Sequence, residues 1–496
     1  MKPSLASLSF LTGATVMAAE MAASRLVTPY FGSSTPVWAT LISVVLGGMA
    51  LGAHFGGRVA DRLGRPEPLL VALCAVAAHL ALLPFLARLL LPGATSAVLE
   101  GEPLPALGRV VLFILATLPP LLVLGGVGPY LLRLGLGGLT SAGSRAGSLS
   151  AVSTLGSIVG TLLAAFALLP LLGTARAMAL FGLLLGATAS WGFPWRWRLA
   201  ALPVPLVALG LGPLALPRHP LALETAESPY AYVQALQHPD GGRELVFDEG
   251  FAVQSLWIPG QPVRQEVFAH YLLVPSMARQ APRAPRVLLL GLGAGTSARG
   301  LLETYPGAQV VGVELDPEVV RLARAHFALP DEVEVHVGDA RAFLARDTRH
   351  YDTIVVDAFR FPYVPFHLTT REFMEEVQAH LAPGGVACFN IGRYRQERAV
   401  VDAVAATMAA VFPEVRAADA HNRSNTLLFS GEPGLSARLS ERAGTLPQHL
   451  QRLARRVTGE LRSVRTGEPL TDDRAPVELL TDGILLRTLA RGEGPL

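Results

Sequence analysis

The strongest constraint on this chain is the way its charge is distributed. The first 215 residues carry 17 charged side chains, and the remaining 281 carry 63. The poor stretch consists of apolar runs. A bilayer hydrocarbon core about 30 Å thick needs about 20 apolar residues per helix, and runs of that kind fall near 5–24, 35–57, 68–91, 108–132, 148–172, 175–193 and 199–216. Over all 496 residues the charged fraction is 16% and the mean hydropathy +0.41, against about 25% charged for a soluble domain. The chain is long enough for two domains. It therefore reads as a multi-span helical membrane domain, 1–218, with six or seven spans, followed by a water-exposed half.

Within the first half, Gly48, Gly52 and Gly56 share one helix face, as do Gly156 and Gly160. Small residues at this spacing let helix backbones approach closely in lipid. Arginines set orientation: Arg58, Arg62 and Arg65 place the 58–66 loop inside, as do Arg133, Arg145, Arg196 and Arg198 for theirs, and the 92–107 loop with Glu100 and Glu102 lies outside. If 199–216 crosses, the second half emerges outside. If it lies along the interface, with Trp195 and Trp197 as anchors, the second half is cytoplasmic; the nucleoside cofactor argued below favours that arrangement, in a plasma (inner) membrane. The apolar N-terminus runs past Glu20 into further spans and lacks a signal-peptide layout. Glu20, five residues before Arg25, is an ionisable group at membrane depth, either functional or paired with an arginine of another helix. Cys74 and Cys388 have no partner at metal-ligand spacing and read as buried thiols, so no metal site is expected. The net charge of +2 and the lack of a basic stripe exclude a nucleic-acid partner.

The second half opens with a small β-rich segment, 219–283, including a strand at Glu244–Asp248 and a helix from about Gln265 to Arg279. At 286 the pattern changes. An apolar strand, Arg286 to Leu290, leads into Gly291-Leu-Gly293-Ala-Gly295-Thr296, then a helix, then a strand from Gln309 ending in Glu314. Glycines at this turn let a ligand approach the backbone, and an acid at the tip of the second strand accepts hydrogen bonds from a ribose diol. The glycine loop alone fits a dinucleotide equally well. The continuation separates the readings: a third strand, 333–337, closed by Gly338-Asp339-Ala340; a fourth, 351–356, with Asp357 at its end; a helix 370–381; and a fifth strand, 386–390. This is the layout of an α/β, Rossmann-like S-adenosylmethionine-dependent transferase over 284–430, with a helical tail, 431–496. Asp339 suits an adenine amino group, and Gly293, Glu314, Asp339 and Asp357 gather at strand ends, where ligands bind.

These residues resemble a known family. The second half resembles the polyamine aminopropyltransferases, the spermidine synthases, and the whole chain resembles their membrane-fused relatives. The likeness rests on Glu20, Arg25 and Pro29-Tyr30-Phe31-Gly32; on Gly56-Gly57-Arg58 with Asp61-Arg62; and on Thr154, Gly156, Gly160 and Leu169-Pro170. In the second half it rests on Glu227-Ser-Pro-Tyr230, Gln254, Glu266 with His270, the glycine loop, Glu314, Asp339 and Asp357, and on the Thr471–Glu478 segment. The resemblance implies that Gln254, Gly291, Gly293, Gly295, Glu314, Asp339 and Ala340 hold S-adenosylmethionine or its decarboxylated form as co-substrate. It implies that Asp357 is catalytic, and that Gln265 and Glu266 face the acceptor. Asp472 and Asp473 are candidate substrate carboxylates from the C-terminal segment. The implied partners are a lipid bilayer and a small amine acceptor, with a homodimer as the candidate assembly.

Three positions depart from the family. Ala294 stands where spermidine synthases carry an aspartate in the glycine loop, Arg264 where they carry a tyrosine, and Arg360 where a second aspartate follows the fourth strand. A polyamine nitrogen has a pKa near 10, like lysine, so a carboxylate must hold the cation and take its proton; an arginine cannot. Besides aminopropyl transfer, two further readings follow: methyl transfer on the same fold, and a transporter or sensor whose nucleoside-binding domain has lost catalysis.

Overall fold

The computed structural model describes residues 3–31, 35–92, 103–136, 142–194, 197–216, 218–248, 253–264, 266–358, 363–393, 397–420 and 424–490. The chain divides into two units, Met1–Pro217 and Arg218–Leu496.

Among the described residues of the first unit, five helices are long and apolar enough to cross a membrane: Leu5–Tyr30, Val37–Leu63, Glu67–Leu90, Leu107–Gly135 and Ala142–Leu172. The fifth widens into a π-turn over Ala164–Leu168. Pro170 follows directly, and its ring would collide with the carbonyl four residues back in a regular helix. A sixth apolar helix, Thr174–Ser190, has 17 residues. The seventh expected span, 199–216, is replaced by a nine-residue helix, Pro203–Leu211, and a short 3-10 turn, Gly212–Ala215. At 1.5 Å per residue that helix reaches only about 13 Å. Pro203, Pro205 and Pro213 remove the amide donors that a longer helix needs. Of the two tryptophans expected as anchors, Trp197 is exposed and Trp195 lies outside the described residues.

The glycine faces do pack. A side chain on Gly52 would meet the Leu122 carbonyl at 2.3 Å, and one on Gly156 the Phe10 carbonyl at 2.0 Å. The second helix thus locks onto the fourth, and the fifth onto the first, backbone against backbone. Large apolar side chains on the outer faces stay exposed, among them Phe55, Leu155, Ile158, Phe166 and Leu171. A surface of this kind suits hydrocarbon and aggregates in water. Overpacking a core costs about 1–3 kcal/mol, and here the obstacle is a backbone that cannot turn aside. Gly156→Leu is therefore expected to lower the yield of folded, detergent-extracted protein severalfold, with Gly47→Leu, a position facing open space, as the unaffected control in size-exclusion chromatography.

The second unit contains two sheets. Strands β1 (Ala222–Glu227), β2 (Tyr232–Gln237), β3 (Arg243–Phe247) and β4 (Val253–Trp257) form an antiparallel sheet in sequential order. The larger sheet holds β5 (Arg286–Leu290), β6 (Gln309–Glu314), β7 (Glu334–Val337), β8 (Tyr351–Val356), β9 (Leu381–Gly392), β10 (Glu414–Asp419), β11 (Asn425–Gly431) and β12 (Arg462–Ser463), in the order β12-β10-β11-β9-β8-β5-β6-β7. The strands from β7 to β9 run parallel and the remainder pair antiparallel. Successive residues of β5 bury on opposite faces: Val287 and Leu289 in one core, Leu288 and Leu290 in the other. A strand buried on both sides reads as a continuous apolar run.

Two expectations change here. The helix expected from Gln265 to Arg279 is broken into Glu266–Tyr271 and Val274–Met277, because Pro275 has no amide to donate back to residue 271. The tail is also built into the sheet. β12 pairs with β10, and Leu435, Leu439, Leu450, Ala454 and Val457 share a core with β5 and β9.

Candidate active site

In the larger sheet the chain steps outward from β5 to β6 and β7, then returns to the other side of β5 as β8. Such a switch point opens a crevice at the carboxyl ends of the strands. Gly291 follows β5 there and Asp357 follows β8. A side chain on Gly291, at φ +99°, would lie 2.3 Å from the Asp357 carbonyl, so only glycine lets these two loops meet. Gly293, at φ +55°, donates its amide to Glu314 Oε2 at 2.8 Å. Gly295, at φ +81°, starts the Thr296–Thr304 helix. The Thr296 hydroxyl and the Leu256 backbone bond each other reciprocally, at 2.9 and 3.0 Å, which ties the glycine loop to β4.

A cavity of about 220 Å³ fills this crevice. Gln254, Gly291, Gly293, Glu314, Asp339, Ala340 and Asp357 all line it. Gly295 does not line it; it shapes the turn beneath. Glu314 is buried at 9% exposure and also accepts the Asp316 amide at 3.1 Å. Burial raises its carboxyl above the ordinary range, and these amides partly oppose the shift. The Asp339 carboxylate caps the Ala340–Leu344 helix through the Ala342 amide at 2.9 Å and faces His367 Nε2 at 3.1 Å.

Asp357 is held by neighbouring side-chain amides. Asn390 donates to its Oδ1 at 2.8 Å, and Asn425 donates to the Asn390 carbonyl oxygen at 2.9 Å. The Tyr271 hydroxyl also faces the carboxylate, off ideal hydrogen-bond geometry. Burial pushes Asp357 up to about 6, against the opposing effect of Asn390 and Tyr271. In turn, burial and then the Asp357 charge hold the Tyr271 phenol well above its usual range. A half-buried carboxyl raised by burial and oriented by an amide relay is equipped to hold a cation and exchange a proton.

Other expected site residues lie elsewhere. Asp472 forms a two-pronged ion pair with Arg341, at 2.7 and 2.8 Å, which holds its carboxyl below the ordinary range. Neither Asp472 nor Asp473 lines the cavity, because that pairing keeps the segment against the Ala340–Leu344 helix. Gln265, Arg360 and the side chain of Glu266 lie outside the described residues. Ala294 is buried, its amide donating to Ser255 Oγ at 2.8 Å. Arg264 is exposed and borders a separate basin with His449, Arg452 and Arg456.

Sequence reasoning missed several contributors. Asp316, two residues past Glu314, is buried, caps the Pro317–His326 helix and accepts from Ser228 at 2.5 Å. Ser228 in turn accepts the Tyr230 and Ala231 amides at 3.0 and 2.9 Å. The Ser-Pro-Tyr motif thus fastens the small sheet to the loop that follows β6. Cutting this link by Asp316→Ala is expected to remove about 1–3 kcal/mol of stability, since buried donors lose their acceptor; thermal unfolding of the purified protein measures it.

Known proteins resemble parts of this chain. Residues 287–385 match the family model described as a methyltransferase domain. A "Probable polyamine aminopropyl transferase" of Bifidobacterium longum is 31% identical over 290 residues, 54% of this chain and 64% of that one. Over its second half the chain is similar to the polyamine aminopropyltransferases. A "Polyamine aminopropyltransferase" of Vibrio vulnificus is 39% identical over 114 residues, 22% of this chain and 38% of that one. The chain spans less than two thirds of the length of either relative. A crystal structure of a "probable spermidine synthase" from Corynebacterium glutamicum is 26% identical, with a TM-score of 0.39, covering 50% of this chain and 98% of that one.

Proposed function

We propose that this spermidine synthase-like chain is a membrane-anchored transferase that binds decarboxylated S-adenosylmethionine and transfers its aminopropyl group to a polyamine. The observation that carries this reading is the convergence of the glycine loop, Glu314, Asp339 and Asp357 on one cavity at the switch point. Glu314 accepts from the ribose hydroxyls, the Gly291–Gly295 turn lies against the nucleoside, and Asp339 takes the adenine amino group. Asp357 holds the acceptor ammonium. In a water-poor crevice burial lowers an amine's pKa while it raises the carboxyl's, so the two approach each other. Asp357 removes one proton, the freed nitrogen attacks the carbon beside the sulfonium, and the carbon–sulfur bond breaks with its electrons returning to sulfur. The products are a methylthio-nucleoside and a secondary ammonium.

Five long apolar helices with lipid-suited outer faces support membrane anchoring. With 199–216 too short to cross and the sixth helix crossing, the arginine-bearing loops and the C-terminal unit fall on the cytoplasmic side of the plasma membrane, where the nucleoside is made.

A specific observation favours a second reading. Ala294 supplies no carboxylate to select the decarboxylated cofactor, so methyl transfer from S-adenosylmethionine fits the same cavity. Incubating the full-length protein with both cofactors and a series of amines, and identifying the nucleoside product, decides between them. Methylthioadenosine supports aminopropyl transfer, and S-adenosylhomocysteine overturns it in favour of methyl transfer.

A further inference from the structure

The membrane unit holds a cavity of its own, of about 290 Å³, lined from the first, second, third and fourth long helices. Its wall is mainly alkyl and aromatic, with Val37, Leu41, Leu83, Phe113 and Leu124 among its residues. Met178 of the Thr174–Ser190 helix completes the wall. The cavity's volume falls at the small end of the roughly 300–1,000 Å³ typical of small-molecule sites.

Among the described residues three polar side chains reach it: Glu20, Thr40 and Thr117. Glu20 is the one ionisable group among the described lining residues, and no described group hydrogen-bonds it. The Thr117 hydroxyl donates to the Ile114 carbonyl at 2.7 Å, which leaves its oxygen free to accept. The charged equipment is thus a single carboxylate, flanked by two hydroxyl oxygens that can accept. A carboxylate in an apolar wall is costly unless a cation meets it. A neutral hydrocarbon leaves that cost in place, and an anion adds repulsion. An ammonium group has three donors and no acceptor, and a charge-assisted bond to a carboxylate is about twice as strong as a neutral one.

We propose that this cavity is a binding site for an organic ammonium carrying a hydrocarbon chain. Glu20 is the counter-ion, Thr40 and Thr117 are the flanking acceptors, and the alkyl wall takes the chain. The site stands apart from the reaction proposed for the C-terminal unit, and its test reads binding alone.

The test uses the full-length protein in lipid nanodiscs, titrated with decylammonium and, as matched probes, decanol and decanoate, with uptake by empty discs subtracted. Decylammonium is expected to bind at least about tenfold more tightly than decanol, and decanoate not at all. Glu20→Gln should bring the amine to the level of the alcohol. Ala23→Phe, which fills the lined space without touching the charge, should abolish binding of both, and it keeps the proposal testable if the Glu20 variant fails to insert. Equal amine binding by wild type and Glu20→Gln would overturn the proposal, as would amine binding that survives Ala23→Phe or a preference for decanol.

Discussion

Glu314→Ala is expected to weaken binding of the S-adenosyl nucleoside by at least about a hundredfold. Two losses combine. The ribose diol loses its carboxylate acceptor, and hydrogen bonds to charged groups contribute about 1.5–3 kcal/mol each. The glycine loop loses the 2.8 Å anchor that holds the Gly293 amide in place, so the remaining contacts are made by a looser turn. Glu314→Gln separates these effects. Its amide oxygen can still accept from Gly293, while the charge and the oxygen that accepts the Asp316 amide are gone, so an intermediate loss of about tenfold is expected. Calorimetric titration with methylthioadenosine reads both. Thermal unfolding serves as the control, because Glu314 is buried.

The second large effect concerns Asp357. Asp357→Asn keeps the shape of the carboxyl and removes both its charge and its basicity, and turnover is expected to fall about 10²–10⁴-fold, the range for a lost general base. The wild-type pH profile adds a sharper signature. The carboxyl is raised to about 6 by burial. It is therefore protonated and inactive below that pH, and kcat at saturating amine should fall about tenfold per pH unit on the acid side. The bond from Asn390 favours the carboxylate, so its loss raises the pKa further. Asn390→Ala should move the acid bend to higher pH and leave the plateau at alkaline pH largely intact. A bend that stays near 6 in this variant would remove the amide relay from the account.

How much of this was legible in the sequence depends on how local the signal is. The strands β5, β6 and β8 are continuous apolar runs ended by glycine or acid, and each forms where the pattern places it. Glu314, Asp339 and Asp357 end or follow their strands, so the strand assignment alone brings them to one crevice. The two glycine faces in the membrane unit were readable because a four-residue repeat is local too. What depended on the fold stayed hidden. Tyr271 and Asn390 reach Asp357 from elements 86 and 33 residues away in sequence, and no spacing rule connects them. β12 is two residues long and joins the sheet only because β10 offers it an edge. Asp472 looked available because the sequence shows its carboxylate and not the Arg341 guanidinium that occupies it. The seventh span failed for a local reason, since hydropathy counts proline as tolerable and the helix cannot.

The departure at Ala294 is the point on which the chemistry turns. The backbone there is seated in the same turn that Gly291, Gly293 and Gly295 build, with the alanine side chain buried against the protein interior. Under the proposed reading, selection between the two cofactors falls to groups beyond the glycine loop.

The central claim is that the crevice at the ends of β5, β6 and β8 binds an S-adenosyl nucleoside and prefers its decarboxylated form. Calorimetric titration of the full-length protein with S-adenosylmethionine, decarboxylated S-adenosylmethionine and methylthioadenosine tests it most directly. The account predicts one site per chain for all three, lost in Glu314→Ala, with the decarboxylated form bound most tightly. Absence of binding, or binding unchanged in Glu314→Ala, would contradict it.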